Sequence, residues 1–244
     1  MNASPARALT AEAIGTFALC FIGILAINVD AISGVSGASS LATVAFGHGL
    51  AIAVMVAALG ALSGAHFNPA ITAGFMVTGR MTPVRGAQYI GAQLVGALLA
   101  SLLIAFLFGR EIVAAGTPAM AEGVHPVGGA IVELVTTFFL VLVVFGTAVD
   151  DRAPKSVFPF AIGLTIVLGI LGTGPITGGA MNPARALGPA LVGGMWTAHW
   201  VYWVGPILGG IAAAFLQHGF FFDRPTAEAT TRGGPVPSEE RGTK

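Results

Sequence analysis

The stretch SGAHFNPAITAGFMV, from Ser63 to Val77, decides how this 244-residue chain is read, because it returns in outline as TGGAMNPARALGPALV from Thr177 to Val192. Each copy runs from a glycine-bearing turn through Asn-Pro-Ala into a short apolar segment. Asn68 and Asn182 suit a helix N-cap, where the side-chain oxygen accepts from an amide of the first turn that has no other partner. Pro69 and Pro183 suit the first helical position, where no donor is needed, and Ala70 and Ala184 continue the turn. The apolar run after each motif covers only about half of a ~30 Å hydrocarbon core. The pattern predicts two half-helices that start near the middle of a membrane.

Composition agrees with that setting. Apolar residues make up 55% of the chain and charged ones 9%, with a mean hydropathy of +0.85, far beyond an ordinary soluble domain. The formal net charge is zero, so no general electrostatic attraction to nucleic acid is expected. Cys20 is the single cysteine and lies in an apolar run, which excludes an intrachain disulfide and reads as packing. No metal or cofactor is expected. The amino terminus is basic like a signal peptide, but the run behind it is of full span length and contains Glu12, so it is expected to be retained.

Six stretches are long enough to cross a bilayer as helices: Leu9 to Val29, Leu41 to Leu62, Pro83 to Phe108, Gly128 to Val149, Val157 to Thr173 and Trp200 to Phe222. The half-helices fall between the second and third and between the fifth and sixth. An odd number of full spans per repeat makes the second half enter from the opposite side, so the repeats are inverted. Glu12 matches Glu133, the run from Phe46 to Leu50 matches that from Phe160 to Leu164, and Tyr89 with Gly96 matches Tyr202 with Gly209. The expected fold is all-α, with six transmembrane helices plus two re-entrant half-helices in one membrane domain over residues 1–222. Repeat one covers about 8–110 and repeat two about 128–222. Residues 223–244 lack apolar periodicity and read as a disordered tail.

Arg7, Arg80, Arg85, Arg152, Lys155, Arg224, Arg232, Arg241 and Lys244 fall on the side of both termini, with Arg110 and Arg185 opposite. Both termini are therefore expected in the cytoplasm.

Irregular backbone at membrane depth is tolerated where it lines water or is buried in protein. Gly64-Ala65-His66-Phe67 and Gly178-Gly179-Ala180-Met181 are such segments. The carbonyls of Gly64, Ala65, His66, Gly178 and Ala180 are expected to form a ladder of acceptors along a narrow pore. The asparagine amide groups would donate at its middle, since capping uses only their oxygens. Two helix amino termini facing one point contribute roughly half a positive charge each, which repels cations and suits neutral solutes.

With its paired SGAHFNPA and GGAMNPAR motifs, the chain resembles the aquaporins, the major intrinsic proteins, from about Glu12 to about Phe222. The resemblance implies a homotetramer of passive channels for water and small neutral solutes in the cell membrane. It also implies that Glu12 and Glu133 support the re-entrant loops. The family's selectivity constriction maps by spacing to His48, Ile170, Gly179 and Arg185. This set is similar to that of plant tonoplast intrinsic proteins, including a subgroup that conducts ammonia. As the resemblance has it, His125 would reach the outer mouth, and Ala186 and Ala190 favour water over glycerol.

A glycerol or small-solute facilitator is the nearest alternative. A secondary transporter also uses inverted repeats, but no coupling-ion carboxylate is evident beyond Glu12 and Glu133. An intramembrane hydrolase would have to recruit Ser63, His48 and His66, which show no paired nucleophile and base, so no enzyme is expected.

Overall fold

The chain enters its first helix at Ser4, whose hydroxyl accepts from the Arg7 amide while Pro5 takes the first helical position. In the computed structural model, which describes residues 4–222, α1 (Pro5–Ile27) leads through a short α2 (Val29–Ser33) to α3 (Leu41–Ser63). The half-helix α4 (Pro69–Val77) follows, then α5 (Pro83–Phe108) and a short α6 (Arg110–Ala115). The second half has α7 (Pro126–Val144), α8 (Phe158–Thr177), the half-helix α9 (Pro183–Gly193) and α10 (Val201–Leu216). One π-helical turn prolongs α7 over Phe145–Val149 and another prolongs α10 over Gln217–Phe221.

With those turns included, six helices are long and apolar enough to cross a membrane, and no strand occurs among the described residues. The expected spans and half-helices are all present, with two clear differences in bounds. The first span begins four residues earlier, at Pro5 rather than Leu9, and ends at Ile27. The fifth span continues past Thr173 to Thr177, through Pro175. Proline in the last turn removes one amide donor close to a helix end, and Gly178 closes the helix with a left-handed cap whose amide reaches the Gly174 carbonyl at 2.9 Å. The tail 223–244, with Arg224, Arg232, Arg241 and Lys244, lies outside the described residues.

Helix α1 packs on α3 and α5, and α7 packs on α8 and α10, so each half builds a matching three-helix group. Close backbone approach sets both groups. A Cβ on Gly96 would come within 2.1 Å of the Ala13 carbonyl, and one on Gly209 within 2.1 Å of the Leu134 carbonyl. Lipid offers no hydrophobic drive for helix association, so small residues that admit such contact decide where helices cross. The halves join through α3 and α8. Each half-helix is held by the other half's last span, α4 by α10 and α9 by α5. This exchange brings the two Asn-Pro-Ala motifs together. Phe106, Phe160 and Leu168 are exposed on the outer surface, as a lipid-facing wall requires.

Candidate functional site

Two buried carboxylates shape the loops before the half-helices. Glu12 on α1 accepts from the amides of His66 at 3.0 Å and Phe67 at 2.7 Å. Glu133 on α7 accepts from Ala180 at 2.9 Å and Met181 at 2.7 Å. Both side chains are fully buried. Backbone donors that have no helical partner are thereby satisfied by a group that only accepts. Each carboxylate also has a side-chain donor, Gln93 for Glu12 at 2.8 Å and Thr177 for Glu133 at 2.7 Å. Gln93 was not apparent from the sequence, because its counterpart in the second repeat is Pro206. His66 is a satisfied histidine: its Nδ1 lies 3.1 Å from the Thr72 hydroxyl, and its ring packs on Phe75 and Tyr89.

The loops follow one irregular path. Gly64 and Gly178 are left-handed at φ 84° and 83°, Ala65 and Gly179 at 52° and 56°, and Phe67 and Met181 at 51° and 50°. Three of these six residues are neither glycine nor of a type that favours the left-handed region, so the surrounding bonds hold the backbone there against its preference. Tyr89 and Tyr202, equivalent residues on α5 and α10, pin the loop entrances by donating to the carbonyls of Ser63 at 2.8 Å and Thr177 at 2.9 Å.

Asn68 and Asn182 cap their half-helices as expected. Asn68 Oδ1 accepts from Ala70 at 2.9 Å, and Asn182 Oδ1 accepts from Ala184 at 3.0 Å and Arg185 at 3.2 Å. Their amide groups are not wholly free, however. Asn68 Nδ2 donates to the Met181 carbonyl at 2.8 Å and Asn182 Nδ2 to the Phe67 carbonyl at 2.9 Å. One hydrogen of each therefore ties the repeats together, and one remains for a solute. The buried Met181 carbonyl depends on the Asn68 donor, while the Phe67 carbonyl also accepts from the Thr16 hydroxyl at 3.3 Å.

Around this junction runs a narrow cavity. Leu19, Ile52, Leu140, Ile162, Ile166 and Ile170 supply an apolar wall. Ala65, His66, Gly179 and Ala180, with Asn68 and Asn182, supply the polar one. Among the described residues, no intramolecular donor reaches the carbonyls of Ala65, His66, Gly179 or Ala180, so they are available to a solute. Two members of the expected ladder sit elsewhere. Gly64 caps α3 outside the cavity lining, and Gly178 lines the outer vestibule instead.

His48, Ile170, Gly179 and Arg185 come together at one end of the cavity. His48 Nδ1 lies 2.8 Å from the Val44 carbonyl and its Nε2 lies 3.2 Å from Arg185 Nη2. Arg185 Nη1 donates to the Gly116 carbonyl at 3.2 Å. The carbonyl only accepts and the guanidinium only donates, so His48 is neutral and carries its hydrogen on Nδ1. The anchoring role of Gly116 left no trace in the sequence, since any residue has that carbonyl. A vestibule lined by Ile27, Thr117, Pro118, Ala119 and Arg185 opens beyond. His125 does not line it. It is exposed and caps α7, accepting from the Val127 amide at 3.3 Å, because the proline that follows makes it the residue before a helix start.

A sequence model described as major intrinsic protein matches residues 1–217. Aquaporin TIP4-4 of Zea mays is 43% identical over 226 residues, spanning 90% of this chain and 88% of that protein. Aquaporin NIP1-1 of Zea mays is 40% identical over 227 residues, spanning 91% of this chain and 78% of that protein. The X-ray structure of the aquaglyceroporin from Plasmodium falciparum superposes with a TM-score of 0.80 at 26% identity, covering 89% of this chain and 97% of that one.

Proposed function

This chain belongs to the major intrinsic protein family, and from that premise we propose that it is a passive transmembrane channel for water and small neutral solutes, ammonia among them. The observation that carries this reading is the pair of bonds from Asn68 to Met181 and from Asn182 to Phe67. They set two helix amino termini at one level of a narrow cavity, each with an amide hydrogen to offer to a passing oxygen. Unpartnered carbonyls on one wall and aliphatic side chains on the other let a water molecule exchange partners without being trapped.

The constriction is His48, Ile170, Gly179 and Arg185. Arg185 and the two half-helix termini oppose cations, including a proton that would hop along a water file. Both termini lie in the cytoplasm, in keeping with Arg7, Arg80, Arg85, Arg152 and Lys155 on that side, and the channel works as a homotetramer in the cell membrane with one pore per subunit. Glu12 and Glu133 serve as loop supports, since each is occupied by two backbone amides and one side chain. That leaves them poorly suited to carry a coupling ion and weighs against a secondary transporter.

The likeness to an aquaglyceroporin favours a second reading, a glycerol facilitator. Ala186 and Ala190, which the family resemblance takes as marks of a water channel, are both fully buried on α9. Stopped-flow light scattering on proteoliposomes, with water, ammonia, glycerol and urea and with or without a pH gradient, separates the readings. The expected result is fast, gradient-independent water and ammonia flux with glycerol near the protein-free rate. Water flux no faster than protein-free vesicles would overturn the proposal.

A further inference from the structure

We propose that Gly23 on α1 is a specificity-determining residue of this channel, because its missing side chain is the recess that holds the His48 imidazole. A Cβ at Gly23 would lie 2.2 Å from His48 Nε2, 2.6 Å from Cδ2 and 2.7 Å from Cε1. A whole edge of the ring thus occupies the space of residue 23's side chain.

Nothing in the surroundings lets the ring yield freely. Its Nδ1 is held by the Val44 carbonyl and its Nε2 by Arg185, so movement off α1 breaks one or both bonds. Both ring nitrogens are already committed, and His48 stays parked at the wall. The same helix steadies the other anchor of Arg185. The Gly116 carbonyl accepts from Arg185 Nη1, and Gly116 packs so closely on Ile24 that a Cβ there would meet Ile24 Cγ2 at 2.6 Å. Adjacent residues of α1, Gly23 and Ile24, therefore position both partners of the guanidinium. A methyl group at position 23 moves the imidazole off α1 and into the cavity that it lines, narrowing the passage and releasing Nη2.

This inference rests on His48 and Arg185 forming the constriction, and a double-mutant cycle separates the two ideas. Gly23→Ala, His48→Ala and the double variant are reconstituted beside the parent, and water and ammonia fluxes are measured per folded channel. Gly23→Ala is expected to lower flux, because the displaced ring narrows the passage, and to change the ammonia-to-water ratio. In the His48→Ala background the same substitution is expected to change neither flux. Should Gly23→Ala alone fail to fold while the double variant folds, the clash with His48 is established by that rescue. Equal damage with and without His48, or failure of both to fold, would show that Gly23 serves helix packing and overturns the inference. So does a Gly23→Ala channel with parental fluxes and parental ratio beside a His48→Ala channel whose ratio has changed. An unchanged ratio in His48→Ala itself overturns the constriction and this inference together.

Discussion

The Asn68 side chain donates to the Met181 carbonyl at 2.8 Å while its oxygen caps α4, so one residue closes its own half-helix and fastens it to the loop of the other repeat. Asn182 does the same in reverse through Phe67. The Phe67 and Met181 carbonyls are turned into the protein between the half-helices, so it is donors of the protein that satisfy them there.

Replacing either asparagine by alanine removes a cap, about 1 kcal/mol. Asn68→Ala also leaves the buried Met181 carbonyl without a donor, about 1–3 kcal/mol more, whereas the Phe67 carbonyl keeps the Thr16 hydroxyl at 3.3 Å when Asn182 is lost. Asn182→Ala loses two capped amides and Asn68→Ala one, but only Asn68→Ala strips a buried carbonyl of its donor, so Asn68→Ala is expected to melt at or below Asn182→Ala in detergent. Water permeability is expected to fall in both. Parental melting and parental flux in both variants would rule out a mid-channel role.

Glu12→Gln and Glu133→Gln are expected to prevent accumulation of folded channel. The amide that replaces one oxygen turns two hydrogens toward backbone donors, so one of the loop amides loses its acceptor while buried, at a cost of about 1–3 kcal/mol or more. Size-exclusion profiles in mild detergent provide the measurement. A monodisperse Glu12→Gln channel with parental water flux would show that the loop holds its path without the carboxylate.

The parts of the site that were legible in the sequence are those that residue type and repetition dictate. Asn-Pro announces a helix start wherever it stands, and its second occurrence identified the repeat; Glu12 and Glu133 stood out as charges in apolar runs. The remainder depends on tertiary contact. Gln93 has Pro206 as its counterpart, so the repeat did not flag it, and Gly116 acts through its backbone. His125 was expected at the mouth by likeness to other channels, whereas Pro126 makes it a helix cap in this chain. The fifth span is expected to end at Thr173, but the helix runs on to Thr177, because a proline in the final turn costs only an amide close to the helix end.

His199, just before α10, accepts from the Trp203 indole at 3.2 Å and packs edge-on against Trp196. Partial burial holds its pKa below the usual histidine value. The unfolded chain therefore takes up the proton first as pH falls. The stability from neutral His199 is fully present above the ordinary histidine pKa of about 6.5 and is lost as pH drops through the lower folded value. Thermal melts from pH 8 to pH 5 are expected to show a fall in the parent that His199→Gln blunts. An identical pH profile in the variant would remove His199 from the account.

Cys20 is buried among Ala97, Ala100 and Ala184 and is not itself one of the residues that line the cavity. Mercurials are expected to inhibit water flux slowly and weakly, since a buried thiol offers little access. Rapid inhibition that Cys20→Ser abolishes would show that reagents reach α1 from the pore.

The last prediction concerns the partition of solutes at His48 and Arg185. Gly179 adds no side chain, and Ile170 presents an apolar face, so the passage is expected to be wider and less polar than one ringed by hydrogen-bonding groups and to admit ammonia. Arg185 is the charged side chain among the residues that line the cavity, and it stays protonated at any working pH. Ammonium is therefore expected to be refused and ammonia admitted. His48→Phe removes the acceptor that holds Arg185 Nη2 and brings a larger apolar ring to the same wall. Ammonia flux is expected to fall more than water flux, because water can still find partners along the carbonyl wall. Arg185→Val is expected to relax cation exclusion while leaving water flux the same or higher. Internal alkalinisation of ammonium-loaded proteoliposomes, recorded beside osmotic shrinkage, measures both. No ammonia flux in the parent, or an equal loss of both fluxes in His48→Phe, would leave a water channel in which His48 does not select.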